Sequence, residues 1–397
     1  MNYIETEEKY GAHHYHPLPV VLTEGKGVYV WDCEGNQYLD MMSAYSAVSL
    51  GHSHPVLVQA LSDQAGRLAI VSRAYYTDKL APFLKKMCEV TDFERALPMN
   101  TGAEAVETAM KAARKWGEKV KGIPKNRAEI IACEGNFHGR TIAIVGMSTE
   151  SQYQDGFGPF PEGLKTIPFA DSQALEKAIT PNTAAFIVEP IQGEAGIVIP
   201  PENYLKACAE ICKKHNVLLI FDEIQSGLGR TGELFAFQHE NVQPDGLILG
   251  KALGGGLLAV SMFLSNNEVM DVFTAGDHGS TFGGNPLSAV IGLEAINLII
   301  HEKLSENSGL LGNYFLSELK KIDHPAIVDI RGKGLFIAIE LDLKQLKARD
   351  ICLALMKKGL LSKETHATVV RLAPPLIITK EQIDEALDKI KEVFRQA

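Results

Sequence analysis

Three short apolar runs end on residues that can do chemistry. Phe186-Ile187-Val188 runs into Glu189, Leu218-Leu219-Ile220-Phe221 into Asp222, and Leu247-Ile248-Leu249 passes through Gly250 into Lys251. Runs this short, with no polar face, read as strands buried on both sides, the kind found in parallel sheets covered by helices. In an open sheet of that type the strand ends share one edge, and side chains from different strands converge there. Further apolar runs at Ile130-Ile131-Ala132-Cys133 and Val260 to Leu264 alternate with helical patterns over Ala103–Lys119 and Tyr204–His215. That alternation implies crossover units and an α/β fold with a mostly parallel central sheet.

The chain divides into three parts. Residues 1–48 carry hairpin-like alternation, Gly27 to Asp32 and Gln37 to Asp40, turning at Glu34-Gly35-Asn36. Residues 49–284 hold the strand and helix alternation of a large domain. Residues 285–397 begin with a helix from Leu287 to about Glu302, with Ala289, Leu293, Ile296 and Ile300 on one face. They end in the amphipathic stretch Lys380–Phe394. At 397 residues the chain can support more than one domain around a large core.

A net charge of −10 disfavours nucleic acid or an anionic membrane as the main partner. No apolar run approaches the roughly twenty residues that cross a bilayer. The acidic start, with Glu5, Glu7 and Glu8, is neither a secretory signal nor a basic transit sequence, so an untargeted cytoplasmic protein is expected. The six cysteines have no framework spacing, which fits a reduced compartment.

Lys251 and Asp222 together suggest a chemistry. An amine at one strand end and a carboxylate at a neighbouring one are what pyridoxal phosphate (PLP) requires: a nucleophile for its aldehyde and an acid for its ring nitrogen. By itself, a lone lysine there reads as a solvated strand end, and the other pieces must decide. Thr101-Gly102-Ala103-Glu104 has the capping-box spacing of a helix start, where Gly102 leaves backbone N–H groups open to an anion. A plain helix cap is the alternative. Ser280-Thr281, in the Gly-rich loop Gly279–Asn285, offers hydroxyls for the same anion. Gly227-Leu228-Gly229-Arg230-Thr231-Gly232 matches a dinucleotide fingerprint as a string, which would make the chain a nicotinamide-dependent dehydrogenase. It lacks the strand–turn–helix context that gives the string meaning. The histidines of His13-His14-Tyr15-His16 and His52-Ser53-His54-Pro55 have no metal-site spacing, and no metal is expected.

Several longer motifs carry a resemblance. They are Tyr10 to Val20, Ser43 to Pro55, Asn100-Thr101-Gly102-Ala103-Glu104 and Asn136-Phe137-His138-Gly139-Arg140-Thr141. Further along come Glu189 to Gly196, Asp222-Glu223-Ile224-Gln225, Gly250-Lys251-Ala252 and Val370 to Pro375. In this order, and over essentially the whole chain, they resemble the class III, fold type I PLP-dependent aminotransferases. The resemblance implies a large PLP-binding domain and a smaller α+β domain built from both termini. It makes Lys251 the amine that joins the cofactor aldehyde and then moves the proton. Asp222 becomes the partner of the ring nitrogen, Phe137 the ring stacker and Gln225 the partner of the ring 3-oxygen, with Glu189 also in the cofactor site. Gly102 and Ala103 would hold the phosphate through backbone N–H groups. Thr281 and Ser280 would reach it from the partner subunit of a homodimer. His138 departs from relatives that carry a bulky aromatic there.

Within the family the resemblance is greatest to members that use ornithine and 2-oxoglutarate. It implies that Arg140 pairs with the far carboxylate of the substrate and that Tyr15 contacts the α-amino group of ornithine. Tyr45 belongs to the same pocket. Arg371 would clasp the α-carboxylate of glutamate, and Glu194 would neutralise Arg371 while ornithine is bound. An ordinary structural ion pair is the other reading of Glu194 and Arg371. N-acetylornithine or another ω-amino acid is the other substrate class.

Overall fold

The computed structural model describes residues 1–397. Its centre is a seven-stranded sheet in the order Arg95–Met99, Ser261–Ser265, Gly246–Leu249, Leu218–Asp222, Thr183–Val188, Glu129–Cys133 and Leu164–Ile167. The last five strands in that order run parallel. Ser261–Ser265 runs antiparallel to both of its neighbours. The sheet is thus mostly parallel, with one reversed strand that the sequence pattern does not disclose. The apolar run Val260 to Leu264 sets burial, and burial is the same for either direction.

Both edge strands escape the apolar-run criterion for a physical reason. Arg95–Met99 contains Pro98, which cannot donate to a ladder and is tolerated at a sheet edge. Leu164–Ile167 carries Lys165 and Thr166 and is only partly buried. The central Thr183–Val188 and Leu218–Asp222 are buried at every position, as their unbroken apolar runs require. Fully burying a side chain such as Phe186 or Phe221 contributes roughly 1.5–3 kcal/mol.

Helices cover the sheet. Gly102–Trp116 starts at a complete capping box, with Thr101 and Glu104 each bonded to the other's backbone N–H. It buries Ala105, Ala109, Ala112 and Ala113, whose small side chains let it lie close to the strands. Beyond Trp116 it loosens into a π-type turn at Gly117–Lys121. The helix expected from Leu287 spans Pro286–His301, and its buried surface is wider than one stripe. Ile291, Ala295 and Ile299 are buried with Ala289 and Ile296, while Leu293 and Ile300 are only partly so. It is wedged against helices Pro55–Ala65 and Leu80–Thr91 and the turn that follows the Lys251 strand.

The hairpin turning at Glu34-Gly35-Asn36 pairs Trp31 with Gln37 and gains a further strand, Leu22–Lys26. Its last strand, Gln37–Asp40, pairs in parallel with Leu360–Leu361, so one small sheet joins the two ends of the chain. A third sheet is formed by Ile327–Gly332, Ile337–Leu341, Val369–Leu372 and Lys363–Thr365. The closing helix, Lys380–Gln396, buries Ile383, Leu387, Ile390 and Phe394 along one face.

Candidate active site

The three strand ends meet. Glu189 follows Thr183–Val188, Asp222 closes Leu218–Asp222, and Lys251 opens a tight turn, Lys251–Gly254, beyond Gly246–Leu249. They line a small pocket together with Phe137, Ile191, Ile224, Gln225 and Ser226. Lys251 holds a left-handed backbone at φ 44°. Such a conformation costs a non-glycine residue of order 1–3 kcal/mol, and it persists where the surroundings dictate it.

Electrostatics set each group's role. Burial lowers the Lys251 ammonium below the usual lysine range, against the opposing pull of Glu194, Asp222 and Glu189, while Arg371 lowers it further. These neighbours act on it through space. A lysine whose charged form is disfavoured is a better nucleophile near neutral pH. Burial pushes the Glu189 carboxyl up to about 8, partly opposed by His138, and its Oε2 accepts the Phe137 backbone N–H at 3.1 Å. Asp222 is 3% exposed, and its Oδ1 accepts the Ile224 N–H at 3.0 Å. His138 Nδ1 donates to Asp222 Oδ2 at 2.7 Å. Burial works against the His138 charge, but the bond to Asp222 outweighs it and raises the imidazole pKa. The His138 imidazole is therefore the group that orients the Asp222 carboxylate.

A second cluster adjoins the first through Gln225, whose side-chain amide reaches Glu194 Oε1 at 3.3 Å and the Tyr45 carbonyl at 3.4 Å. Glu194 Oε1 accepts from Arg371 at 2.7 Å, and the guanidinium lies over the Tyr45 ring at 5.0 Å. Burial works against the Glu194 charge, yet Arg371 and Lys251 hold its carboxyl below the usual range. Tyr45 sits in a run of left-handed residues, Ser43 to Ser46, which turns its ring toward Arg371. Burial raises the Tyr45 phenol; Arg371 opposes this, and Glu194 and Tyr15 add to it. Arg140 stacks on Tyr153 at 3.6 Å, with Phe137 at 5.3 Å.

Other expected residues stand further out. A Cβ on Gly102 would come within 2.8 Å of Ile224 Cδ1, so this helix start approaches the cavity closely. A Cβ on Gly139 would lie 3.0 Å from Ala103 Cβ. The Ser280 hydroxyl accepts from Asn100 of its own chain at 2.8 Å, beside the same helix start. Thr281 is exposed and unbonded within the chain. Tyr15 is 73% exposed, its ring 4.7 Å from that of His14. The candidate dinucleotide string forms consecutive turns with Arg230 fully buried. That guanidinium donates to the carbonyls of Leu335 and Pro374 and to the hydroxyls of Ser43 and Ser49. The string is a strut between segments, which removes the dehydrogenase reading.

The motifs that pointed to Lys251 and Asp222 also match as a family, since the profile described as Aminotransferase class-III covers residues 10–394. The chain belongs to the class-III aminotransferases. Among the relatives, this aminotransferase is 58% identical over 391 residues to an ornithine aminotransferase of Geobacillus sp. (strain WCH70), covering 98% of each chain. A Toxoplasma gondii ornithine aminotransferase structure, with PLP in partial occupancy at its active site, superposes with a TM-score of 0.98. It is 43% identical and covers 99% of this chain and 93% of that one. An acetylornithine aminotransferase from Elizabethkingia anophelis superposes with a TM-score of 0.90 at 49% identity, over 100% of this chain and 98% of that one.

Class-III aminotransferases depend on PLP, and the cavity fits that cofactor. A partly buried lysine stands free of side-chain bonding partners for an aldehyde. A buried carboxylate, backed by His138, stands ready for a ring nitrogen. The buried Ser226 hydroxyl has no partner in the chain, and a capped helix start lies alongside. Sequence reasoning left Tyr153, Ser226 and the role of His138 unassigned. His138 lay inside a named motif, but nothing local marked the other two.

Proposed function

We propose that this aminotransferase moves the δ-amino group of L-ornithine to 2-oxoglutarate, in two alternating half-reactions. The products are L-glutamate and glutamate-5-semialdehyde, which cyclises to pyrroline-5-carboxylate. The observation that carries the reading is the Glu194–Arg371 pair at 2.7 Å, with Arg371 only 3% exposed. A bare buried guanidinium would clasp any α-carboxylate and repel the terminal ammonium of a diamino acid. Covered by Glu194, it is electrically neutral toward ornithine; uncovered, it is a fork for glutamate. Both amino donors can then use one pocket.

PLP, when bound, supplies the electron sink that stabilises negative charge at the carbon losing its proton. Around it, Lys251 provides the amine for covalent attachment and carries the proton between the donor carbon and the cofactor. Asp222, steadied by His138, keeps the ring nitrogen positive. Phe137 packs on the ring, Gln225 bonds the ring 3-oxygen, and Glu189 closes the cavity wall. Gly102 and Ala103 give backbone N–H groups to the phosphate. Arg140 holds the far carboxylate, with Tyr15 on the α-amino group of ornithine and Tyr45 against Arg371.

We further propose a homodimer in which Thr281 and Ser280 reach the phosphate of the partner subunit; the exposed Thr281 and the 55% exposed Phe282 beside it support this. No helix is long and apolar enough to cross a membrane, and we propose the cytoplasm as the site of action. We place the large PLP-binding domain at 49–284 and the small one at 1–48 plus 285–397.

The identity to an acetylornithine aminotransferase favours a second reading, with N-acetylornithine as donor. A panel of single half-reactions separates the two. The holoenzyme is mixed with ornithine, N-acetylornithine, 4-aminobutyrate or lysine, and loss of the cofactor's visible band is followed. Fastest loss with ornithine supports the proposal; fastest loss with the acetylated amine overturns it in favour of the second reading.

A further inference from the structure

The N-terminal arm is hydrogen-bonded to the body by one side chain. Helix Tyr3–Tyr10 buries no residue. The rings of His13 and His14 bond carbonyls within the arm, Glu8 and Ala12. Arg349 makes the bonds that leave it: one guanidinium nitrogen donates to the His16 carbonyl at 3.0 Å and the other to the Pro17 carbonyl at 2.7 Å. A planar fork suits two successive carbonyls, where an ammonium on a flexible stem does not.

The Arg349 nitrogen that reaches His16 also leads to the gate. It pairs with Glu364 at 2.9 Å, and Glu364 stands on strand Lys363–Thr365. The next residue, Thr365, donates its hydroxyl to the Glu194 carbonyl at 2.6 Å. Across the strand pair, Lys363 is in register with Arg371. One hairpin therefore carries Arg371, anchors the backbone of Glu194 and seats the residue that grips the arm. Glu364 spends Oε1 on Arg349 and Lys363. Its Oε2 is buried and has no partner, so Arg349 and Lys363 bear the compensation of this carboxylate.

We propose that Arg349 is a positioning residue for donor selectivity: it latches the arm at the two residues that follow Tyr15 and holds that phenol in register with the Glu194–Arg371 gate. The inference rests on the reading of Tyr15 as the contact for the α-amino group of ornithine. Glutamate carries no second ammonium, so the latch acts on ornithine alone. A residue that merely stabilised the fold would affect both donors.

The test uses PLP-loaded enzyme, single half-reactions with each donor, and hydrogen exchange of the amides at 11–16. Arg349→Ala raises the ornithine concentration for half-maximal rate about tenfold, roughly 1.4 kcal/mol, with the limiting rate and the glutamate half-reaction little changed. Exchange at 11–16 accelerates. Arg349→Lys keeps the charge beside Glu364 but not the fork; it behaves like the alanine variant and serves if that one does not fold. In a double-mutant cycle, adding Arg349→Ala to Tyr15→Phe costs nothing further for ornithine. Equal defects with both donors, additive effects in the cycle, or unchanged exchange overturn the latch. A defect in Tyr15→Phe without one in Arg349→Ala overturns the latch and keeps Tyr15 as a contact. A silent Tyr15→Phe beside an ornithine-specific Arg349→Ala overturns the Tyr15 assignment and leaves the arm held by Arg349 for another contact. Silence in both overturns both.

Discussion

Replacing Glu194 with glutamine keeps the shape of the gate and removes its charge. Arg371 then loses its only anionic partner, at 2.7 Å, and is left with the Tyr45 ring face at 5.0 Å and an Nε that is buried and unbonded. Two unit charges 4 Å apart attract by about 4 kcal/mol at the effective dielectric near a protein surface. Glu194 is 24% exposed and also serves Lys251 and Gln225, so only part of that attraction opposes opening of the pair. Taking about a third, glutamate regains roughly 1.4 kcal/mol when its α-carboxylate meets an uncovered Arg371, a tenfold gain in its half-reaction. Ornithine meets an uncovered positive charge and loses a similar factor, so the preference between donors shifts about a hundredfold. Rapid-mixing spectra of the variant with each donor measure both halves. Arg371→Ala moves the ratio the other way, damaging glutamate most. Equal slowing of both donors by Glu194→Gln refutes the gate and leaves a structural ion pair.

Three other outcomes are expected. Lys251→Ala retains PLP without the covalent link and loses turnover by several orders of magnitude, measured by steady-state assay and by the absorption of the bound cofactor; near-normal turnover removes the mechanism. Gly193→Ala puts a Cβ 1.6 Å from Gln225 Oε1 and 3.0 Å from Phe336 Cζ, so Gln225 is displaced. PLP dissociation, followed by fluorescence, accelerates, while the melting temperature falls by only a few degrees. Glu223 is fully buried, accepts the Ala236 and Phe237 N–H groups at 2.7 and 2.8 Å, and is pushed up by burial to about 8. Between the ordinary carboxyl range and that value the folded chain holds a proton that the unfolded chain has lost, so this group lowers stability as pH rises from about 5 to 8. Glu223→Gln flattens the dependence of the urea midpoint on pH in that window, and an unchanged slope refutes the assignment.

The sheet was legible where burial alone dictates sequence. Thr183–Val188 and Leu218–Asp222 are covered on both faces, and an apolar run is the only pattern that survives there. Arg95–Met99 and Leu164–Ile167 are edges, open to solvent or to a proline, and their sequences are correspondingly mixed. Strand direction was beyond reach, because Ser261–Ser265 is equally buried whichever way it runs. The helix after Pro286 was legible as a helix but not in its facing. Surrounded by two helices and a turn, it has no polar side for a stripe to define.

The chemistry and the selectivity of the site are written differently. Glu189, Asp222 and Lys251 fall where strands end, and strand ends are fixed by local pattern, so the sequence could assemble them before any contact was known. Glu194 and Arg371 lie 177 residues apart, and only the resemblance to a family joined them. His138 and Asp222, 84 apart, and Arg349 and His16, 333 apart, were joined by the structure alone. Such pairs leave no periodicity, because each partner is locally an ordinary polar residue on a turn or a strand. What makes them informative is burial with mutual satisfaction: Asp222 beside His138 and Arg371 beside Glu194 are each costly alone and cheap together. Substitutions at the strand ends should therefore affect both donors alike. Those at the long-range pairs should separate one donor from the other, except at His138, whose partner serves every turnover. A His138→Asn variant that slowed ornithine and spared glutamate would contradict that division, since Asp222 acts on the cofactor and not on the donor.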